Sequence, residues 1–292
     1  MSRRAWGLFV LVGVLWGIPY LLIRVAVVEM SPIVLVFLRT ALAAAVLVPL
    51  ALATGAFRGL GRRLGWLVLQ ALVQVLVPFL LISYGELHVT SSMAGVLIAS
   101  EPILIALLAP LVDPRERVRG LGMLGLLLGL AGVAAVVGLQ LGGDRLALLG
   151  AGLLILAAGC YAIGMMLIRL RLNDASQVGS SAVMMVTTAA LLAIPAATRL
   201  PARVPGPDAL VAVALLALLS TAIGFLAMFA LVQEAGAGRA ALVTYVNPAV
   251  AVLLGAVVLS EPIGPGTVAG FVLIVAGSVL AGRGRTSAGG PA

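Results

Sequence analysis

AGVLIASEPILIALLAPLV, residues Ala94–Val112, decides what kind of protein this is. Apolar residues run on both sides of Ser100-Glu101-Pro102, and Glu101 is the only charge between Thr90 and Val112. A carboxylate in the centre of such a run costs a few kcal/mol to place in a bilayer, so it faces protein or a water-filled cavity. The proline beside it frees a backbone carbonyl one turn back, which also needs a polar surrounding. Val246-Asn247-Pro248 repeats the arrangement without the charge.

The rest of the composition agrees with a membrane setting. The chain is 63% hydrophobic and 10% charged, with a mean hydropathy of +1.24, whereas soluble domains average about 25% charged residues. No β-alternation is visible, so the fold class is an all-α integral membrane protein rather than a barrel. Ten transmembrane helices are expected, roughly at 6–27, 32–53, 64–84, 90–111, 119–140, 146–168, 176–197, 209–232, 238–259 and 265–282. The apolar run after Arg4 continues to Ile23, longer than a signal-peptide core, and reads as the first span.

The net charge of +8 does not imply nucleic-acid binding, because the arginines lie in short loops. With the N-terminus on side one, thirteen arginines fall there (3, 4, 58, 62, 63, 115, 117, 119, 169, 171, 239, 283 and 285) and four on the other side (24, 145, 199 and 203). That bias puts both termini in the cytoplasm of a multi-pass protein of the plasma (inner) membrane. The basic residues are all arginine, so there is no lysine for a phosphate loop or a Schiff base. One cysteine (Cys160) and one histidine (His88) give no metal centre, and no cofactor is called for. No nucleophile–base set is visible, so the chain does not read as an enzyme.

The two halves repeat. Leu22-Ile23-Arg24 and Ser31 recur 145 residues later as Leu167-Ile168-Arg169 and Ser176; Pro49, Phe79-Leu80, Ala94 and Pro102 recur 146 residues later as Pro195, Phe225-Leu226, Ala240 and Pro248. Glu116, Gly125 and Gly132 return 145 residues on as Glu261, Gly270 and Gly277. The domains are therefore residues 1–141 and 142–282, two inverted five-helix repeats, followed by a disordered cytoplasmic tail, 283–292. An odd number of spans per repeat inverts the second copy, an architecture common in secondary transporters, with the substrate site where the repeats meet.

Leu15-Trp16-Gly17, Ser31-Pro32, Arg39, Pro102, Asn247-Pro248 and Ser260-Glu261-Pro262, in this order over ten spans, resemble the EamA-type permeases of the drug/metabolite transporter superfamily. Glu101 before Pro102 departs from that pattern, and the family's Glu near the end of span four has a counterpart only within Asp113-Pro-Arg-Glu-Arg117. The resemblance implies secondary transport of small metabolites, often amino acids, with export the expected direction and the bilayer and a small-molecule substrate as partners. A flippase for a lipid-linked intermediate, using the same fold, is the alternative.

Pathway candidates follow from polarity at depth. Glu101 lies about eleven residues, or roughly 16 Å, into span four and reads as a proton-coupling site or as half of a structural ion pair. Arg39, about seven residues or roughly 10 Å into span two, is its natural partner; alone, it suits a substrate carboxylate or helix anchoring. Gln70, Gln74 and Pro78 make a polar, kinkable stripe that fits a cavity wall or an interhelical contact. Thr244, Tyr245 and Asn247 surround Pro248, and Pro78, Pro102 and Pro248 are the candidate hinges. Trp16 and its approximate repeat equivalent Tyr161 stand mid-span, for stacking or packing; Thr221 lines a path or bonds its own helix. Arg24 and Arg169 read as interfacial anchors. Gly125-xxx-Gly129 and Gly266-xxx-Gly270 are close-packing motifs, serving the scaffold or a homodimer face.

Overall fold

Helices are the one open-ended element whose backbone groups pair within a single segment, and this chain uses them throughout. The structure is a computed structural model that describes residues 1–112, 117–141 and 144–286. Its spans are α1 (Arg3–Ala26), α2 (Pro32–Ala53), α3 (Leu60–Gly85), α4 (Ser91–Val112) and α5 (Leu121–Leu141) in the first half. The second half contains α6 (Arg145–Leu172), α7 (Gln177–Ala197), α8 (Pro207–Ala235), α9 (Ala241–Val258) and α10 (Pro265–Thr286). The ten apolar runs thus become ten spans, and no described residue is in a strand. Glu116, and with it the Asp113-Pro-Arg-Glu116 stretch, lies outside the described residues, as does the end of the tail.

Local chemistry sets the ends. Ser31 caps α2 by accepting from Val34 N, and its repeat partner Ser176 caps α7 by accepting from Gly179 N. Thr90 caps α4 through Met93 N, and Asp144 caps α6 through Leu146 N.

The pairing of spans shows the inverted repeat. Spans α2, α4 and α5 each pack against their own counterparts α7, α9 and α10, while α3 on α6 is mirrored by α8 on α1. Small residues allow the crossings. Gly13 and Gly17 bring α1 onto Val246 and Val250 of α9; the equivalent α6 positions, against α4, are the fully buried Ala158 and Ala162. The α5–α10 contact is the most extensive and the closest. Gly125, Gly129 and Gly132 face Gly270 and Gly277, backbone against backbone. That glycine face serves the scaffold within one chain, which leaves it unavailable to a second copy.

One irregularity recurs in both halves. Residues Leu72–Leu76 of α3 and Leu216–Ile223 of α8 are π-helical, and 146 added to the first range falls inside the second. In α3 the widened turn stands just before Pro78, which has no N–H to give Gln74.

Candidate functional site

The repeat-related prolines interrupt both central spans. The α4 span divides into Ser91–Ile98 and Glu101–Val112. Ser100 bridges the gap: its hydroxyl donates to Leu97 O at 2.7 Å, and its carbonyl accepts from Ile103 N and Leu104 N. Glu101 opens the second segment and Pro102 follows where an N–H would go unused. In α9 the segment Ala241–Tyr245 is a 3-10 turn, and an α-helix starts at Asn247-Pro248. Both helices are broken at these candidate hinges, because each proline removes the bond that would carry the helix across.

The segments on the face opposite the termini are packed together. Gly95 lies against Ala251, and Gly255 against the hydroxyls of Ser91 and Ser92. The terminal-face segment Glu101–Val112 packs instead on α6, α5 and α10. The closed face is fastened across the repeats. Glu261 accepts from Ser91 N (2.8 Å), Ser92 N (3.0 Å) and Ser92 Oγ (2.6 Å), and Glu29 accepts from Gly206 N. Arg24 donates to the Glu86 carbonyl, so this anchor also closes a loop.

A tight turn aims Glu261. Ser260 has φ +54, the one positive-φ non-glycine among the described residues, and the Glu261 N–H reaches back to Gly255 O at 3.0 Å. The helix ends in a left-handed residue, with serine where glycine is unstrained. Ser260→Gly is expected to stabilise the protein by about 1 kcal/mol, read as a higher thermal midpoint. An unchanged or lower midpoint would mean that the turn carries no strain.

On the terminal face the fasteners are exposed. Arg63 forms a bidentate pair with Asp174, and Ser2 Oγ donates to Glu234 at 2.6 Å. The Arg63 hydrogen bonds hold the Asp174 carboxyl below the usual aspartate range, so their support is present above that range and lost as pH falls through it.

Between these faces the candidate residues divide. Arg39, nearly buried, donates from Nε to Thr221 Oγ1 at 2.8 Å and lays its guanidinium 3.8 Å above the Phe79 ring. Thr221 in turn donates to Leu216 O inside the π-helical turn of α8. The ion pair expected between Arg39 and Glu101 is not formed here: α8 and α3 hold the guanidinium, and half-buried Glu101 has no hydrogen-bond or ion-pair partner among the described residues. Tyr20 and Tyr161 lie within electrostatic reach of both charges.

Other candidates have helix partners. The Asn247 amide, with its nitrogen turned inward, donates to Val243 O and Gly13 O, tying the α9 break to α1. Thr244 Oγ1 donates to Ala241 O within its own turn, and Tyr245 is part-buried beside it. Gln70 Nε2 is 3.5 Å from Gln74 Oε1, and both face Gly164 of α6, which makes this stripe an interhelical contact. Trp16 packs edge-on against Phe225 of α8, at 6.0 Å between ring centroids.

Sequence reasoning did not single out Tyr20, Phe79 as an arginine platform, or Glu86, whose carboxylate is fully buried with neither oxygen bonded. Glu86 stands at the end of a span, where a charge is unremarkable, so nothing in the string flagged its burial.

Comparisons with known proteins fit this arrangement. The pattern of the EamA-like transporter family matches residues 4–138 and 148–283, one copy per half. A protein from Archaeoglobus fulgidus described as an uncharacterized transporter is 25% identical over 97% of this chain and 100% of its own length. A solved protein structure superposes with a TM-score of 0.68 at 20% identity, covering 98% of this chain and 99% of that one, which supports the fold.

Proposed function

Because the chain belongs to the EamA-like transporter family, and is a multi-pass membrane transporter rather than an enzyme, we propose that it moves a small polar or amphipathic metabolite by alternating access as a secondary carrier. One observation carries this reading. Two helices related by the repeat are both interrupted in mid-span, and they pack tightly on the face opposite the termini while their terminal-face segments pack elsewhere. An inverted repeat can exchange those two arrangements between its halves. The arginine bias makes the terminal face cytoplasmic, and export is the proposed direction.

Glu101 is the proposed coupling group, standing where α4 breaks with no hydrogen-bond or ion-pair partner among the described residues. Glu101→Gln is expected to flatten the pH dependence of solute flux in reconstituted vesicles while leaving the yield of folded protein within about twofold of wild type. Parallel loss of flux and folded protein would make the carboxylate structural. A lipid flippase would instead scramble labelled lipid in the same vesicles.

A further inference from the structure

We infer that Arg39 is the docking point for a carboxylate on the transported solute; this rests on the carrier reading above and adds the chemical class of the cargo. Arg39 is a charge with no ion-pair partner among the described residues. Arg39 is 7% exposed, deep in α2, and its contacts are a hydroxyl and an aromatic face, neither of which neutralises it. A buried charge without a counter-ion costs several kcal/mol, and proteins keep one where an anion arrives in the working cycle.

The two contacts do something more specific than hold the side chain. Thr221 takes the Nε–H, and Phe79 covers one face of the guanidinium plane. What remains is the outer fork of terminal N–H groups, which donates to no described residue. With Nε tethered and the plane fixed, that fork is set for two parallel bonds to a planar oxyanion. Its neighbours suit a small organic ligand. Tyr20 and Tyr161 lie within electrostatic reach and present phenols, while Glu86, the carboxylate also within reach, makes no ion pair with Arg39. The clamp spans both halves, since Arg39 and Phe79 come from the first repeat and Thr221 from the second. Relative movement of the halves therefore loosens or tightens the grip, which is what a carrier needs to release its load.

The test uses the full-length protein in detergent and in vesicles, as wild type, Arg39→Met, Arg39→Lys and Thr221→Val. The probes are acetate, benzoate, succinate and phenylalanine against acetamide, benzamide, succinamide and phenylalaninamide. At least one carboxylate is expected to raise the wild-type thermal midpoint while its amide does not. Arg39→Met should weaken that carboxylate at least about 30-fold, with Arg39→Lys intermediate because a point charge cannot fork. Without any probe, Arg39→Met should melt within about 3 °C of wild type or above it, since it deletes an uncompensated charge and keeps the packing volume. A large fall in that ligand-free midpoint would make the guanidinium a structural tether and overturn the inference. So would amides that bind as well as the carboxylates, or carboxylate binding that survives in Arg39→Met. Flux of a carboxylate solute unchanged in Arg39→Met would overturn this inference while leaving the carrier reading intact. Carboxylate binding without flux of any solute would support the docking point and remove the carrier reading.

Discussion

Gly277→Val is expected to prevent the protein from folding. A Cβ at that position would lie 2.4 Å from Gly129 N, 2.6 Å from Gly125 O and 2.7 Å from Gly129 Cα, all backbone atoms of α5. No side-chain rotation relieves such contacts; the helices must separate along their most extensive interface. In a bilayer there is no apolar burial to regain by repacking, because the lipid tails are as apolar as the side chains they replace. A cost above about 4 kcal/mol follows, in the range that removes a marginally stable fold. Size-exclusion chromatography of detergent extracts should show no monodisperse peak. Gly138→Ala, on α5, meets nothing within 4 Å and should behave as wild type or slightly better. A folded Gly277→Val protein, melting normally, would refute the close α5–α10 contact.

The second large effect is expected at Glu261. Its carboxylate satisfies Ser91 N and Ser92 N at the buried start of α4 and takes a third bond from Ser92 Oγ. Hydrogen bonds to an ionised group exceed neutral ones, and an anion at a helix N-terminus gains from the helix dipole. Glu261→Ala should cost about 3 kcal/mol. Its functional mark is more specific than its stability cost, because the bond joins α4 to the loop after α9. In a Cys160→Ser background, Ala94→Cys is fully buried and should resist an impermeant thiol reagent added from the face opposite the termini. Adding Glu261→Ala should expose it to the reagent, and Glu261→Gln should give an intermediate rate because one amide oxygen still accepts. Equal labelling with and without Glu261 would mean that the carboxylate does not hold this face shut.

Much of this architecture is legible in the string. Span number, repeat length and the special standing of Ser100-Glu101-Pro102 follow from hydropathy and from a proline that recurs at an offset of 146. The glycine motifs on α5 and α10 predicted close packing, but that the two spans cover each other is seen only in the structure. What the string could not supply was direction around each helix. Glu101 and Arg39 have compatible depths, yet Arg39 turns to Thr221, 182 residues away, because an arginine at mid-depth takes whichever partner the neighbouring helices present. Gln70 and Gln74 form the expected stripe, and of its two readings, cavity wall or interhelical contact, the string could not choose the contact against Gly164. Glu261 was visible as part of Ser260-Glu261-Pro262 and as the repeat counterpart of Glu116; its partners Ser91 and Ser92 are about 170 residues earlier and carry no signal of their own.

The α5–α10 contact also bears on how the protein is made. α5 enters the membrane with its glycines exposed, and the surface that covers them is in α10, made more than 120 residues later. Throughout the synthesis of the second half, this bare backbone strip must be shielded by lipid, by the insertion machinery or by a transient neighbour. A chain cut short before α10 would keep a sticky, uncovered first half. Quality control in the membrane therefore has a simple marker of an unfinished molecule: the glycine strip itself.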